Sequence, residues 1–121
     1  MESGDVSQLG VSTENHQFLR RVTEEKRFRE MKDAYKFAVA LAAALSVTPS
    51  GVPNRENIYS RNTIDPDGKL GQALRVLYPD FEQANRLIEN LANWGLGEMR
   101  RRFEAGDLDL AKLIAEADGA V

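Results

Sequence analysis

The run DAYKFAVALAAALSV, Asp33 to Val47, constrains the fold more than any other stretch of the chain. From Phe37 to Val47 only Ser46 is polar. At ~1.5 Å rise per residue, a helix of this length reaches about half of a ~30 Å hydrocarbon layer. Charged Asp33 and Lys36 stand at its start, and the loop TPSGVP follows it. A membrane span is therefore not expected. A helix apolar on nearly all sides is a buried one, so this segment is expected at the centre of the domain, with its end near Leu45 open to a subunit contact.

A chain of 121 residues, 42% hydrophobic and 29% charged, can close one core without staples. Residues 1–8 read as a disordered tail and residues 9–121 as a single helical domain. The absence of cysteine rules out a disulfide framework, a thiolate metal site and a cysteine nucleophile, and suits a reducing cytoplasm. The leading MESGDVSQLG is acidic and has no apolar stretch, so no secretory signal is visible.

Apolar spacing and capping residues outline the helices. Ser12 is a good N-cap for a first helix over about Thr13 to Lys26, with Phe18, Leu19 and Val22 inward. Phe28, Met31, Tyr35, Ala38, Ala42 and Leu45 mark the second, which ends before Pro49. A long connection, SVTPSGVPNRENIYSRNTI, follows; its Asn57–Ile64 part favours extended structure and could pair with Leu9–Val11. Asp65 as N-cap with Pro66 at the first helical position predicts a third helix, with Leu70, Ala73, Leu74 and Leu77 inward, stopped by Pro79. Asp80 is expected to cap a fourth, which Gly95 and Gly97 interrupt, bend or open to a close backbone approach. Leu96, Met99 and Phe103 carry helix on to Gly106, and Asp107 opens a last short helix. The expected fold is all-α: a compact bundle of five or six short helices around the buried central one, with room for one minor strand pair.

No motif speaks for catalysis, and the chain is read as a non-enzyme without cofactor or metal. DPDG begins like a calcium loop, but that register would put Thr63 and Leu74 at the first and last ligand positions. His16 has no metal-spaced partner and reads as a surface residue. The basic residues say more. The window Arg20–Lys36 holds seven basic and four acidic residues, a local +3 in a chain that is −3 overall. Arg29, Lys32 and Lys36 are expected on one helix face; Arg100, Arg101 and Arg102 form a second cluster; Arg55 and Arg61 lie in the connecting loop. Each group could hold phosphate or an acidic partner, or could be an ordinary solvated face laced by ion pairs.

The pattern Phe28, Lys32, Asp33, Phe37, Ala38, Ala40, Leu41, followed by LANWGLGEMRRRFEAGD, resembles small bacterial proteins associated with Dnd-type DNA phosphorothioation, in particular the Dnd system-associated protein 4 family. The resemblance covers about the last three-quarters of the chain and has no counterpart for the loop TPSGVPNRENIYSRNTIDPDG. It implies a setting in DNA modification and phage defence, and assigns no catalytic residue. The expected function is a non-enzymatic, cytoplasmic interaction component with protein partners. The alternative is direct binding of DNA through the basic faces.

Overall fold

The computed structural model describes residues 5–25 and 27–106. The expected helix after Asp107 lies outside the described residues. Seven elements follow in order: β1 (Gln8–Ser12), α1 (Thr13–Glu24), α2 (Met31–Ala44), β2 (Arg55–Ser60), α3 (Arg61–Ile64), α4 (Lys69–Leu77) and α5 (Ala84–Glu104). No helix among the described residues is long and apolar enough to cross a membrane.

The all-α expectation is overturned: the fold is mixed α/β, with five helices and a two-stranded antiparallel sheet among the described residues. Leu9 pairs with Tyr59 and Val11 with Glu56, and the register shifts at a bulge between Leu9 and Gly10. The sheet belongs to the core. Leu9 and Val11 are fully buried, and β1 runs against α5 as well as β2. The sequence allowed this pair only as a minor addition, because Leu9 and Val11 on either side of Gly10 make too short an alternation to weigh. The second half of the expected strand, residues 61–64, is a single helical turn instead.

The expected central helix is also corrected. α2 buries Ala34, Tyr35, Ala38, Val39, Leu41 and Ala42, mostly against α5, but Lys36 and Ala40 are exposed. Phe37 is only partly covered, by Phe28 at a centroid distance of 5.6 Å. Alanine counts as apolar in the sequence yet exposes little when it faces water, so an alanine-rich helix need not be buried all round. The helix begins at Met31 because the Glu30 backbone N–H donates to the Asp33 carboxylate at 3.2 Å, half of a capping box. Arg29 therefore precedes the helix.

Two further boundaries move for identifiable reasons. The third predicted helix begins at Lys69, after Gly68 in the left-handed region (φ 73°). Asp65 still serves that helix, from a distance. Its two carboxylate oxygens accept from the N–H groups of Leu70 and Gly71, each at 3.0 Å. Only Leu74 of α4 is buried, and the expected inward Leu77 faces out. At the far side of Pro79 the chain stays irregular until Ala84. The N-terminal N–H groups of α5 are met by Asp5, which accepts from Arg86 at 3.1 Å and Asn85 at 3.5 Å. Residues 5 and 6 are thus held against the start of α5, where a carboxylate also suits the helix dipole.

α5 then runs unbroken through both glycines. Gly95 sits where α2 crosses: a Cβ there would lie 2.2 Å from the carbonyl oxygen of Ala38. At Gly97 a Cβ would meet only Asn15 Nδ2, at 3.9 Å. Gly95→Ala should therefore cost about 2–4 kcal/mol by forcing the two helices apart. Gly97→Ala should add up to ~1 kcal/mol of stability through helix propensity alone. Urea denaturation of the two variants measures the contrast; equal effects would refute the crossing as the reason for Gly95.

Candidate functional site

The predicted binding residues are spread over the α1–α2 link, α2, β2, α3 and α5. Lys32 and Lys36 share a face of α2, one turn apart, while Arg29 lies outside the helix, so the expected face of three is a face of two. Lys32 Nζ stands 3.3 Å from Glu30. Burial first, and then the negative charges of Asp33 and Glu30, push the Tyr59 phenol up to about 12. The field at this end of α2 is thus acidic at Tyr59, which does not favour a phosphate there.

The triplet on α5 is matched by carboxylates. Arg101 and Arg102 both bond Glu98, with Arg102 Nε at 3.1 Å. Those bonds, led by the one from Arg101, hold the Glu98 carboxyl below its usual range against the opposing effect of burial. Arg100 reaches Glu14 at 3.3 Å and Glu104 at 3.7 Å, and its Nε donates to Asn15 Oδ1 at 3.1 Å. Three arginines thus meet three glutamates, and a phosphate would have to displace one. Arg61 stands exposed at the first position of α3.

Arg55 is turned inward. Its Nε and Nη2 donate to Glu89 at 2.9 Å, Nη2 also donates to the Gln8 carbonyl at 2.8 Å, and Nη1 to Asn57 Oδ1 at 2.6 Å. Glu89 is only 2% exposed at its side chain, and it also accepts from the Gly10 N–H at 2.9 Å. The hydrogen bond to Glu89 raises the already high guanidinium pKa. Tyr35 closes the network from α2, its hydroxyl donating to the Gly10 carbonyl at 2.9 Å. Burial, with Glu89 nearby, pushes its phenol well above the ordinary value. The charged loop residue is therefore a fold determinant. His16, expected at the surface, is half-covered and paired through Nδ1 with Glu56 of β2.

The surface that sequence reasoning missed is apolar. Val76 and Leu77 are 79% and 58% exposed at the end of α4. They continue into Tyr78, Pro79 and Phe81, and with Pro49 these border a hollow of about 300 Å³. A second hollow, of about 310 Å³, adjoins Phe81 beside Arg75, Pro79 and Glu82. Tyr78 is fixed by donating its hydroxyl to the Val47 carbonyl at 2.7 Å, and burial raises its phenol. The available signal was VLYPDF, an apolar run carried across a helix stop. Among the described residues no group of three or more His, Asp or Glu could hold a metal ion.

Comparison with protein-family models, with curated proteins and with solved structures finds no match to this chain.

Two measurements separate structural charge from surface charge. Arg55→Met should cost about 3–5 kcal/mol by leaving the Glu89 carboxylate buried without its partner, whereas Lys36→Glu should stay within ~0.5 kcal/mol. A loss below ~1 kcal/mol for Arg55→Met would contradict the buried-pair assignment. The tyrosines set a second expectation. Unfolded tyrosines ionise near pH ~10, while Tyr35, Tyr59 and Tyr78 hold their protons higher when folded. Their stabilisation is full below pH ~10 and is lost as pH rises from there towards the folded values, Tyr35 alone giving a slope of up to ~1.4 kcal/mol per pH unit. Tyrosinate absorbance should accordingly appear together with alkaline unfolding; three phenols titrating near pH ~10 in the folded protein would refute this.

Proposed function

We propose that the protein is a non-enzymatic interaction component whose partner is a protein, acting in the cytoplasm within a bacterial DNA-modification and phage-defence system. The observation that carries the interaction reading is the apolar ledge of Val76, Leu77, Tyr78, Pro79 and Phe81. Single exposed aliphatic residues are ordinary, but a contiguous apolar patch flanked by charge is the usual mark of a protein contact. Arg75, Asp80 and Glu82 supply such a polar border. The setting rests on the resemblance of FREMKDAYKFAVAL and LANWGLGEMRRRFEAGD to the Dnd-associated family.

Direct DNA binding is the second reading. Lys36, Arg29 and Arg61 support it, since none of them has an ion-pair partner among the described residues. The net charge of −3 and the glutamates clasped by Arg100, Arg101 and Arg102 weigh against it.

The test takes proteins encoded beside this gene in a DNA-modification cluster and a duplex DNA, and measures binding to each across salt concentrations. The protein reading expects a complex that Val76→Glu with Leu77→Glu weakens at least ~10-fold, about 1.4 kcal/mol. Lys32→Glu with Lys36→Glu should weaken it only a few-fold, and less as salt rises. Duplex binding that falls steeply with salt and disappears in the lysine double variant would replace this reading with the DNA one.

A further inference from the structure

Gly97 has no packing reason to be glycine. It lies in an unbroken helix with no positive φ, and a Cβ there would make only an ordinary contact, with Asn15 Nδ2 at 3.9 Å. Glycine is among the poorest helix formers. What it leaves is bare helix backbone lining a cleft of about 330 Å³, between α5, the β1–α1 junction and the loop before β2.

The cleft is preorganised. Asn93 Oδ1 accepts from the Ser12 N–H at 2.9 Å and from Asn15 Nδ2 at 2.8 Å, and Asn15 Nδ2 also donates to the Asn93 carbonyl at 3.0 Å. Asn54, on the opposite side, is held at a φ of 48° because Thr13 donates to its carbonyl through both N–H and hydroxyl. Several hydrogen-bonding groups of the residues lining the cleft remain unused among the described residues, the Asn93 Nδ2 amide among them. The Trp94 indole N–H has no acceptor and is not shut away from solvent, and the Asn54 side-chain amide has no partner.

We infer that this cleft binds a neutral ring carrying several hydroxyl groups, a saccharide unit or the sugar of a nucleoside, laid between Trp94 and the bare backbone at Gly97. The charge at the cleft is already balanced: Arg100 pairs with Glu14, and Arg101 with Glu98. A charged ligand would meet as much repulsion as attraction. The apolar surface offered is the Trp94 indole and the small Pro53 ring beside a strip of helix backbone, which matches the flat C–H face of a ring rather than an extended hydrocarbon chain. The spare groups include the indole donor, the Asn93 Nδ2 donor and the Asn54 donor–acceptor amide, and a hydrocarbon would strip them of water without replacing it. Hydroxyls serve both roles in a small volume.

Trp94 is the only tryptophan, so its indole 15N–1H resonance reports on the cleft without ambiguity. The full chain is titrated with methyl glucoside, maltose, thymidine and adenosine, each to about 50 mM, the range of weak small-molecule affinities. A saturable shift of the Trp94 resonance is expected with at least one of them, and the arm that gives it, sugar or nucleoside, identifies the source. Gly97→Leu should weaken that binding at least tenfold without lowering the melting temperature. Should that variant not fold, Gly97→Ala, whose added carbon makes only ordinary contact, should still weaken it several-fold. Asn54→Ala should do the same. No shift with any of the four probes would overturn the inference. So would binding undiminished in the Gly97 variants, or glucose 6-phosphate, titrated alongside, binding more tightly than methyl glucoside.

Discussion

One residue, Gly10, is read by three elements at once, and the sheet side of the fold depends on it. Its N–H donates to Glu89 of α5, its carbonyl accepts from Tyr35 of α2, and its missing Cβ makes room for Arg55 of β2. A Cβ at Gly10 would meet the Arg55 guanidinium at 2.8 Å. The controlling term is the buried carboxylate. Glu89 is almost wholly out of water, where an unpaired charge is untenable, so its oxygens must be satisfied by donors brought to them. The register shift between Leu9 and Gly10 turns the strand at the place where a backbone N–H can be supplied. A one-residue slip would offer Leu9 or Val11 there instead and reverse every side chain of β1.

The helical side rests on a second close approach, between α2 and α5 at Ala38 and Gly95. α5 is the long member, and 21 residues span roughly 30 Å. It therefore touches nearly everything else: β1 and α1 on one side, α2 at the crossing and α4 through Leu74. The space beside one glycine on this helix is filled by a neighbouring backbone, and a Cβ at the other would only touch Asn15 Nδ2 at 3.9 Å. The same residue type, two positions apart, thus has opposite meanings. At Gly95 it lets the core close, and at Gly97 it leaves a surface open.

Local signals in the sequence carried the parts of this structure that are decided locally. Phe18, Leu19 and Val22 of α1 face inward as their spacing requires, and Asp65 does serve the start of a helix. What failed was decided far along the chain. Arg55 looks like a loop cation because its partner, Glu89, is 34 residues away. Arg100 looks free because Glu14 comes from the first helix. Asp80 looks like a cap, but Asp5 takes that role from a segment that reads as a tail. Leu77 looks inward because the stripe is regular, yet a nine-residue helix anchored by Leu74 leaves its last turn with nothing to bury against. The strand pair, though considered, read as an accessory because Leu9–Val11 is short and Arg55–Ser60 does not alternate.

The accounting of charge also bears on where this protein can act. A guanidinium that already holds a carboxylate gains little from a phosphate, because binding one means surrendering the other. Arg101 and Arg102 share Glu98, and Arg100 divides itself among Glu14, Glu104 and Asn15, so the most basic stretch of the sequence is among the least available. Unused bonding capacity lies elsewhere: in the apolar ledge at Val76 and Leu77, whose burial would release water, and in the indole and amide of the Gly97 cleft. Burying apolar surface stabilises a contact in proportion to its area, whereas exchanging one exposed ion pair for another gains little. Recognition by this chain is accordingly expected to be driven by burial at the ledge, with the surface charges setting orientation and approach rather than affinity.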